Sequence, residues 1–141
     1  MLLDQMKATP KAILTTPGPE LSTLGSRAER VCAIPYLFSW WGKFRWWNPV
    51  RFFYACAVAL GMALRLRPRW VVSLGASDVV PFCYAARLLG AEIIHVECMN
   101  QVVSRSLTGR LLYPIAKKIF VQWEDLRPSF GSKAEYAGWV L

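Results

Sequence analysis

Short apolar runs alternate with helical patterns through the second half of the chain. Trp70–Leu74 and Glu92–Glu97 are rich in apolar and β-branched residues and have the length of buried strands. Between them, residues 78–90 have a helical pattern, with Ser77 or Asp78 as the N-cap and a glycine at the C-terminal end. A strand, a helix and a strand in succession form a βαβ unit, which predicts parallel pairing and a right-handed crossover.

A second unit follows the first. Residues 106–118 have a helical pattern, which Pro114 is expected to bend or interrupt because proline lacks a backbone N–H. Ile119–Trp123 has the pattern of the next strand, and Ala134–Gly138 that of a short last one. The pattern predicts an α/β protein with a Rossmann-like, mainly parallel sheet, and residues 1–141 are expected to form a single domain.

The first half of the chain is less regular. Lys11–Pro17 and Val31–Pro35 have the pattern of short strands, the second closed by its proline. Asn48 and Pro49 are typical of a helix start, an N-cap followed by proline at the first helical position. This helix is expected to end at about Leu66, before the next proline.

Residues 36–66 combine a stretch of aromatic and basic side chains with a predicted apolar helix. Tryptophan beside lysine and arginine suits the headgroup layer of a membrane, and the uncharged run Phe52–Leu64 is shorter than the ~20 residues that a spanning helix needs. The segment is therefore predicted to contact a membrane peripherally, or to be a core helix covered by tryptophans, and both can hold together. The residues expected to contact lipid are Trp40, Trp41, Lys43, Arg45, Trp46, Trp47, Arg51, Phe52 and Phe53.

Composition narrows the class of partner. Hydrophobic residues make up 55% of the chain and charged residues 18%, which is oily for a soluble domain and argues against disorder. The formal net charge is +8, and no acidic residue lies between Glu29 and Asp78, which indicates an anionic partner, either lipid or nucleic acid. Nucleic acid is disfavoured because the basic residues sit among oily ones rather than on a polar face.

Neither a metal nor a cofactor is expected. The chain has one histidine, His95, and its four cysteines show no C-x-x-C spacing, so that buried reduced thiols are the expectation. The G-x-G-x-x-G fingerprint is absent, which disfavours a stand-alone nucleotide-dependent oxidoreductase.

Candidate functional residues follow the predicted strands. Open parallel sheets bind ligands at the carboxyl ends of their strands, where Gly75–Ser77, Glu97 and Gln122–Glu124 lie. The first of these is an anion-binding turn or a plain strand–helix corner, and the missing glycine fingerprint favours the corner. Residues 100–110 place hydroxyls and arginines around a helix start. They either hold a phosphate or pyrophosphate, or form a capped helix with solvated arginines, and the residues alone leave both open.

The stretch from Leu64 to about Gly138 resembles a known family. It contains "RPRWVVSLGA", "VPFCYAARLLGA", "SLTGRLLYPIA" and "FVQWEDL" in the order and spacing of the membrane-side subunit of the split UDP-N-acetylglucosaminyltransferase, the asparagine-linked glycosylation fourteen family, with its bacterial capsule and exopolysaccharide relatives. The resemblance implies the acceptor-side, N-terminal half of a GT-B glycosyltransferase, which a separate catalytic, UDP-sugar-binding subunit completes. It also implies transfer to a polyprenyl-pyrophosphate-linked acceptor at the cytoplasmic face of a bacterial inner membrane or the ER.

The resemblance and the strand-end positions together give a candidate site. Glu97 is the candidate catalytic carboxylate. The residues expected to bind substrate are Gly75, Ser77, Ser104, Ser106, Thr108, Gly109, Arg110, Gln122 and Trp123. The apolar tail formed by Trp139, Val140 and Leu141 is expected either to contact the catalytic subunit or to close the core.

Several positions depart from the family pattern. Ser77 stands where a second glycine is common, Gln101 where a basic residue is common, and His95 replaces an apolar strand residue and is expected to be a satisfied core histidine. Residues 1–14 resemble the tail of the helix that follows the family's opening strand and G-G-H loop, so the domain is expected to be truncated and to leave two sheet edges unpaired. Either the start is assigned late, or the chain is a fragment, or the fold is completed elsewhere. A peripheral membrane scaffold without substrate contact is the alternative function.

Overall fold

The computed structural model describes residues 12–15, 31–33 and 49–138. Within these ranges the strands are β1 (Ile13–Thr15), β2 (Val31–Ala33), β3 (Trp70–Ser73), β4 (Glu92–Val96), β5 (Ala116–Val121) and β6 (Ala134–Tyr136). The α-helices are α1 (Pro49–Leu66), α2 (Val80–Leu88), α3 (Leu107–Leu112) and α4 (Arg127–Phe130). The predictions for the tryptophans and basic residues of 40–47 and for the tail 139–141 lie outside the described residues.

All pairings among the described strands are parallel. β1 pairs with β2, and β3, β4, β5 and β6 form a four-stranded sheet in chain order. The chain passes from β3 through α2 to β4 and from β4 through α3 to β5, which are the two predicted βαβ units. The predicted α/β class with a parallel sheet is confirmed.

Helices cover one face of the four-stranded sheet. Val71 of β3 and Ile93 of β4 are buried in one core cluster with residues of α1 and α2. Ala59 and Ala63 of α1 belong to that cluster, and their small side chains at a four-residue spacing let the backbone of α1 approach α2 closely. A second cluster lies under the far strands and consists of Ala116, Ile119, Val121, Leu126, Phe130 and Ala134.

The opposite face of β3 is open. Trp70, Val72 and Leu74 point away from the helices and are 51%, 43% and 43% exposed. Among the described strands, β3 pairs only with β4, and β1 pairs with β2 and not with β3. β3 is therefore the edge strand of the described four-stranded sheet. Leu14 of β1 nevertheless packs against the same core cluster as Val71, so the two sheets lie beside a single core.

The predicted helix over residues 106–118 is wrong in its second half. α3 ends at Leu112, and Ala116–Lys118 belong to β5. Pro114 cannot donate the backbone hydrogen bond that would continue the helix. Beyond it, Ala116 and Ile119 are buried in the far core cluster, and that burial holds the segment as a strand.

The start of the preceding helix also differs from the prediction. Ser77–Val79 form a 3-10 turn, and α2 begins at Val80 without a side-chain cap at its start. Pro81 lies in the first turn of α2, where its fixed φ favours helix and its missing N–H has no partner to lose. The short helix α4 was not predicted, because a single turn is too brief for its periodicity to show.

Candidate functional site

The carboxyl ends of three adjacent strands meet at one polar edge of the sheet. The Thr108 hydroxyl of α3 donates to the Gly75 carbonyl after β3, at 2.9 Å. The Gln122 side-chain amide after β5 donates to the Glu97 carbonyl after β4, at 3.0 Å. The Trp123 indole N–H donates to the Met99 carbonyl at 2.7 Å. The structure thus brings together the strand-end residues that the sequence analysis singled out.

Glu97 lies at the centre of this edge and is fully buried. Its Oε1 accepts the Cys98 backbone N–H at 3.2 Å. Its Oε2 lies 3.6 Å from Nε2 of His95, a residue that is also fully buried. Oε2 makes no hydrogen bond to a described residue. The carboxylate therefore faces protein groups and not solvent.

The environment of Glu97 favours the charged form. Burial raises the pKa of its carboxyl, but the nearby side chains of His95 and Ser106 and the N–H of Cys98 outweigh burial and hold the pKa below its usual value of 4.5. The group is therefore a carboxylate at neutral pH. A buried anion of this kind is costly, and the Cys98 N–H and the nearby His95 imidazole offset part of that cost.

Two glycines let the backbone approach this cluster. A Cβ at Gly109 would overlap the Glu97 carboxylate and lie 2.9 Å from Cζ of Phe130. Gly75 has φ +96°, a left-handed conformation that favours glycine, and a Cβ there would overlap Sγ of Cys98. The sequence analysis named both as substrate-binding residues, and the structure shows a steric requirement for glycine at each position.

His95 is a core residue, as predicted, but its ring is only partly satisfied. Nδ1 lies 3.4 Å from the Ser73 hydroxyl, whereas Nε2 makes no hydrogen bond to a described residue. Because side chains alternate along an extended chain, His95 of β4 and Glu97, which directly follows β4, lie on the same side of the sheet. That alternation is the signal by which the sequence could have paired them.

The remaining predicted substrate residues divide into buried and accessible groups. Thr108, Gly109 and Gln122 are buried among protein atoms. Ser104 and Arg110 are exposed, and Ser77, Ser106 and Trp123 are partly exposed. The sequence analysis missed Cys98 and Phe130, which line the cluster, because no motif marks them and the contact of Phe130 with α3 is long-range.

Helix α1 presents a second candidate surface. Val50, Phe53, Leu60 and Leu64 recur at helical spacing along its exposed side, and Phe53 is 70% exposed. The predicted lipid contact Phe52 is exposed as well. Within residues 12–15, 31–33 and 49–138, no helix combines the length and apolar character needed to cross a bilayer.

The fold has a clear counterpart among solved structures. The crystal structure of Acinetobacter baumannii MurG aligns with a TM-score of 0.67 at 24% identity, over 87% of this chain and 35% of that one. Together with the parallel sheet, this shows that the chain has an α/β fold shared with part of MurG.

The sequence comparisons identify the family. The family model described as "Oligosaccharide biosynthesis protein Alg14 like" matches residues 46–140, and the chain belongs to this family. The UDP-N-acetylglucosamine transferase subunit ALG14 of Mus musculus is 30% identical over 95 residues, which are 63% of this chain and 43% of that protein. The Schizosaccharomyces pombe subunit is 41% identical over 78 residues, 52% and 37% of the two chains. The chain thus spans about two fifths of the length of the curated relatives it matches.

Proposed function

We propose that this chain is the acceptor-side, membrane-recruiting subunit of a two-chain UDP-sugar glycosyltransferase. Its family membership supports a role as a glycosyltransferase subunit, since the relatives are named as subunits of a UDP-N-acetylglucosamine transferase. The acceptor is a glycan linked to polyprenyl pyrophosphate, and the chain works at the cytoplasmic face of a membrane. A separate catalytic subunit binds the UDP-sugar.

The exposed apolar side of α1 is the observation that carries membrane recruitment. Val50 and Phe53 are 74% and 70% exposed, and Leu60 and Leu64 continue the same stripe. A helix that keeps such a stripe in water loses the stabilisation that burial would give, and stripes of this kind mark lipid or protein contacts. Lipid fits best because the helix carries no acidic residue, and the chain around it is basic without an acid from residue 30 to residue 77.

The polar edge of the sheet supports acceptor binding. Ser104 and Arg110 are exposed, and they lie in the loop and helix after β4, which the Thr108 hydroxyl joins to the end of β3. Open parallel sheets bind their ligands at such strand ends. A guanidinium and a hydroxyl suit the oxygens of a pyrophosphate, with which arginine can form two parallel hydrogen bonds. The lipid tail of such an acceptor would remain in the membrane on which α1 rests.

A scaffold without substrate contact is the second candidate. It is favoured by one observation, namely that Glu97, Thr108 and Gln122 are buried and their contacts are to the protein itself. On this alternative, the polar edge only shapes the surface on which the catalytic subunit docks.

Reconstitution separates these functions. The chain and its catalytic subunit are mixed with liposomes that contain a polyprenyl-pyrophosphate acceptor and with labelled UDP-N-acetylglucosamine. We expect transfer only when both chains are present, and an Arg110→Ala complex that assembles normally should have a raised acceptor KM. Transfer by this chain alone would contradict the two-chain proposal. Unchanged acceptor KM in Arg110→Ala and Ser104→Ala would support the scaffold.

A further inference from the structure

Glu97 occupies the space beneath the first turn of α3. Its carboxylate is fully buried, and Gly109 leaves just enough room for it. Phe130 closes the same space from the side of α4. A substrate could reach this carboxylate only if α3 moved away, so its position argues against direct contact with a reacting atom.

The groups beside Glu97 lie at the two ends of one loop. Cys98, whose N–H donates to Oε1, begins the loop of residues 98–106. Ser106 ends it and accepts the Gly109 N–H at 2.9 Å as the N-cap of α3, and the Glu97 carboxylate fills the space against Gly109. The buried anion therefore contacts one end of the loop through the Cys98 N–H and lies against the α3 turn that the other end caps. A hydrogen bond to a charged acceptor is about twice as strong as one between neutral groups.

We propose that Glu97 is a positioning residue, whose carboxylate holds both ends of the 98–106 loop and thereby sets where Ser104 and Arg110 stand for the acceptor. This inference rests on the proposed function in so far as the acceptor is the ligand. Ser104 lies within the loop and Arg110 in the α3 turn that the loop enters. The Thr108 hydroxyl on the Gly75 carbonyl anchors the same turn to the end of β3.

The kinetic test uses Glu97→Gln in the assembled two-chain enzyme. The amide keeps the shape of the side chain and removes its charge, so the loop should loosen while the reacting groups remain. We expect the acceptor KM to rise about tenfold with kcat and the UDP-sugar KM within about twofold of wild type, because a positioning defect weakens binding of one substrate. Glu92→Gln is the matched control, a glutamate at the start of β4, the strand that Glu97 follows, whose ion pair with Lys117 lies at the surface. It should leave all three constants unchanged.

Two kinetic outcomes would overturn the inference. A fall in kcat of more than about a hundredfold at constant acceptor KM would make Glu97 a catalytic residue. Wild-type constants in Glu97→Gln would show that the charge positions nothing.

A second measurement does not depend on sugar transfer. Hydrogen exchange of the intact chain should be severalfold faster across residues 98–110 in Glu97→Gln than in wild type or Glu92→Gln. Ser106→Ala, which is partly exposed and less disruptive, should loosen the same amides, and the double variant should add little to either single one. Unchanged exchange in both single variants, or fully additive effects, would contradict the inference. If the wild-type complex transfers no sugar, the proposed function fails, and exchange still decides the role of Glu97.

Discussion

At the scale of single residues, the polar edge of the sheet depends on two glycines as much as on its polar side chains. Gly109 makes room for a buried carboxylate, and Gly75 makes room for the Cys98 thiol. The carboxylate in turn contacts the backbone N–H of Cys98 and lies beside His95. Substitutions here should therefore act through packing and charge before they act on any ligand.

Gly109→Ala should destabilise the chain. The added methyl group would overlap the Glu97 carboxylate and press on Phe130, and overpacking of a tight core costs about 1–3 kcal/mol of unfolding free energy. Gly61→Ala is the matched control, because nothing lies within 4 Å of the position of its Cβ and it sits inside the long helix α1. That change should stabilise by up to ~1 kcal/mol through helix propensity. Urea unfolding of both variants measures the difference, and equal effects would refute the steric account.

The charge of Glu97 should make stability depend on acid pH. Its pKa in the folded chain lies below the usual 4.5, so the carboxylate contributes stability above that pH. The contribution is lost as pH falls from about 4.5 through the lower folded pKa, because the unfolded chain takes up the proton more readily than the folded chain. We expect the unfolding free energy of wild type to exceed that of Glu97→Gln at pH 7 and the gap to narrow below about pH 4.5. A gap that widens in acid would show that the folded pKa is raised.

At the scale of elements, α1 has two apolar sides with different tasks. Ala55, Ala59 and Ala63 form the buried side, and Phe53 and Leu60 lie on the exposed one. The bounds of α1 could be predicted because Asn48, Pro49 and the proline after the helix are strong local signals. The start of β5 at Ala116 could not be predicted, because a short apolar run suits a helix or a buried strand equally. Tertiary packing decided between the two.

Replacing the exposed side of α1 should weaken membrane binding and spare the fold. In the triple variant Phe53→Gln, Leu60→Gln and Leu64→Gln, the buried alanines are untouched, so Tm should stay within a few degrees. Loss of three apolar side chains from the acyl boundary should lower the partition onto anionic liposomes by at least about tenfold. Leu88→Gln, at an apolar position on α2 that is more exposed than any of the three, is the control and should bind like wild type. Unaltered flotation of the triple variant would exclude this surface as the lipid contact.

At the scale of the whole molecule, parallel pairing explains why the site lies where it does. Strands that run the same way place Gly75, Glu97 and Gln122 at one edge, which is why the sequence alone could predict that these residues lie together. It could not show that Glu97, Thr108 and Gln122 face inward, because burial of a strand-end residue depends on the helix packed over it. The contact of Phe130 with Gly109 joins distant parts of the chain, and no local pattern predicts it.

The open face and end position of β3 predict self-association of the isolated chain. Trp70, Val72 and Leu74 form an exposed apolar row along β3, which is the edge strand among the described strands of its sheet, and such strands pair with other copies unless a charge interrupts them. Val72→Lys should therefore reduce light scattering at equal concentration, while Tm stays close to wild type because Val72 is outside the core. Leu88→Lys adds the same charge on α2, at a position that is 84% exposed and away from the strand, and should reduce scattering much less. An equal reduction by both variants would assign the effect to net charge, and no reduction by either would show that β3 is not the surface through which copies associate.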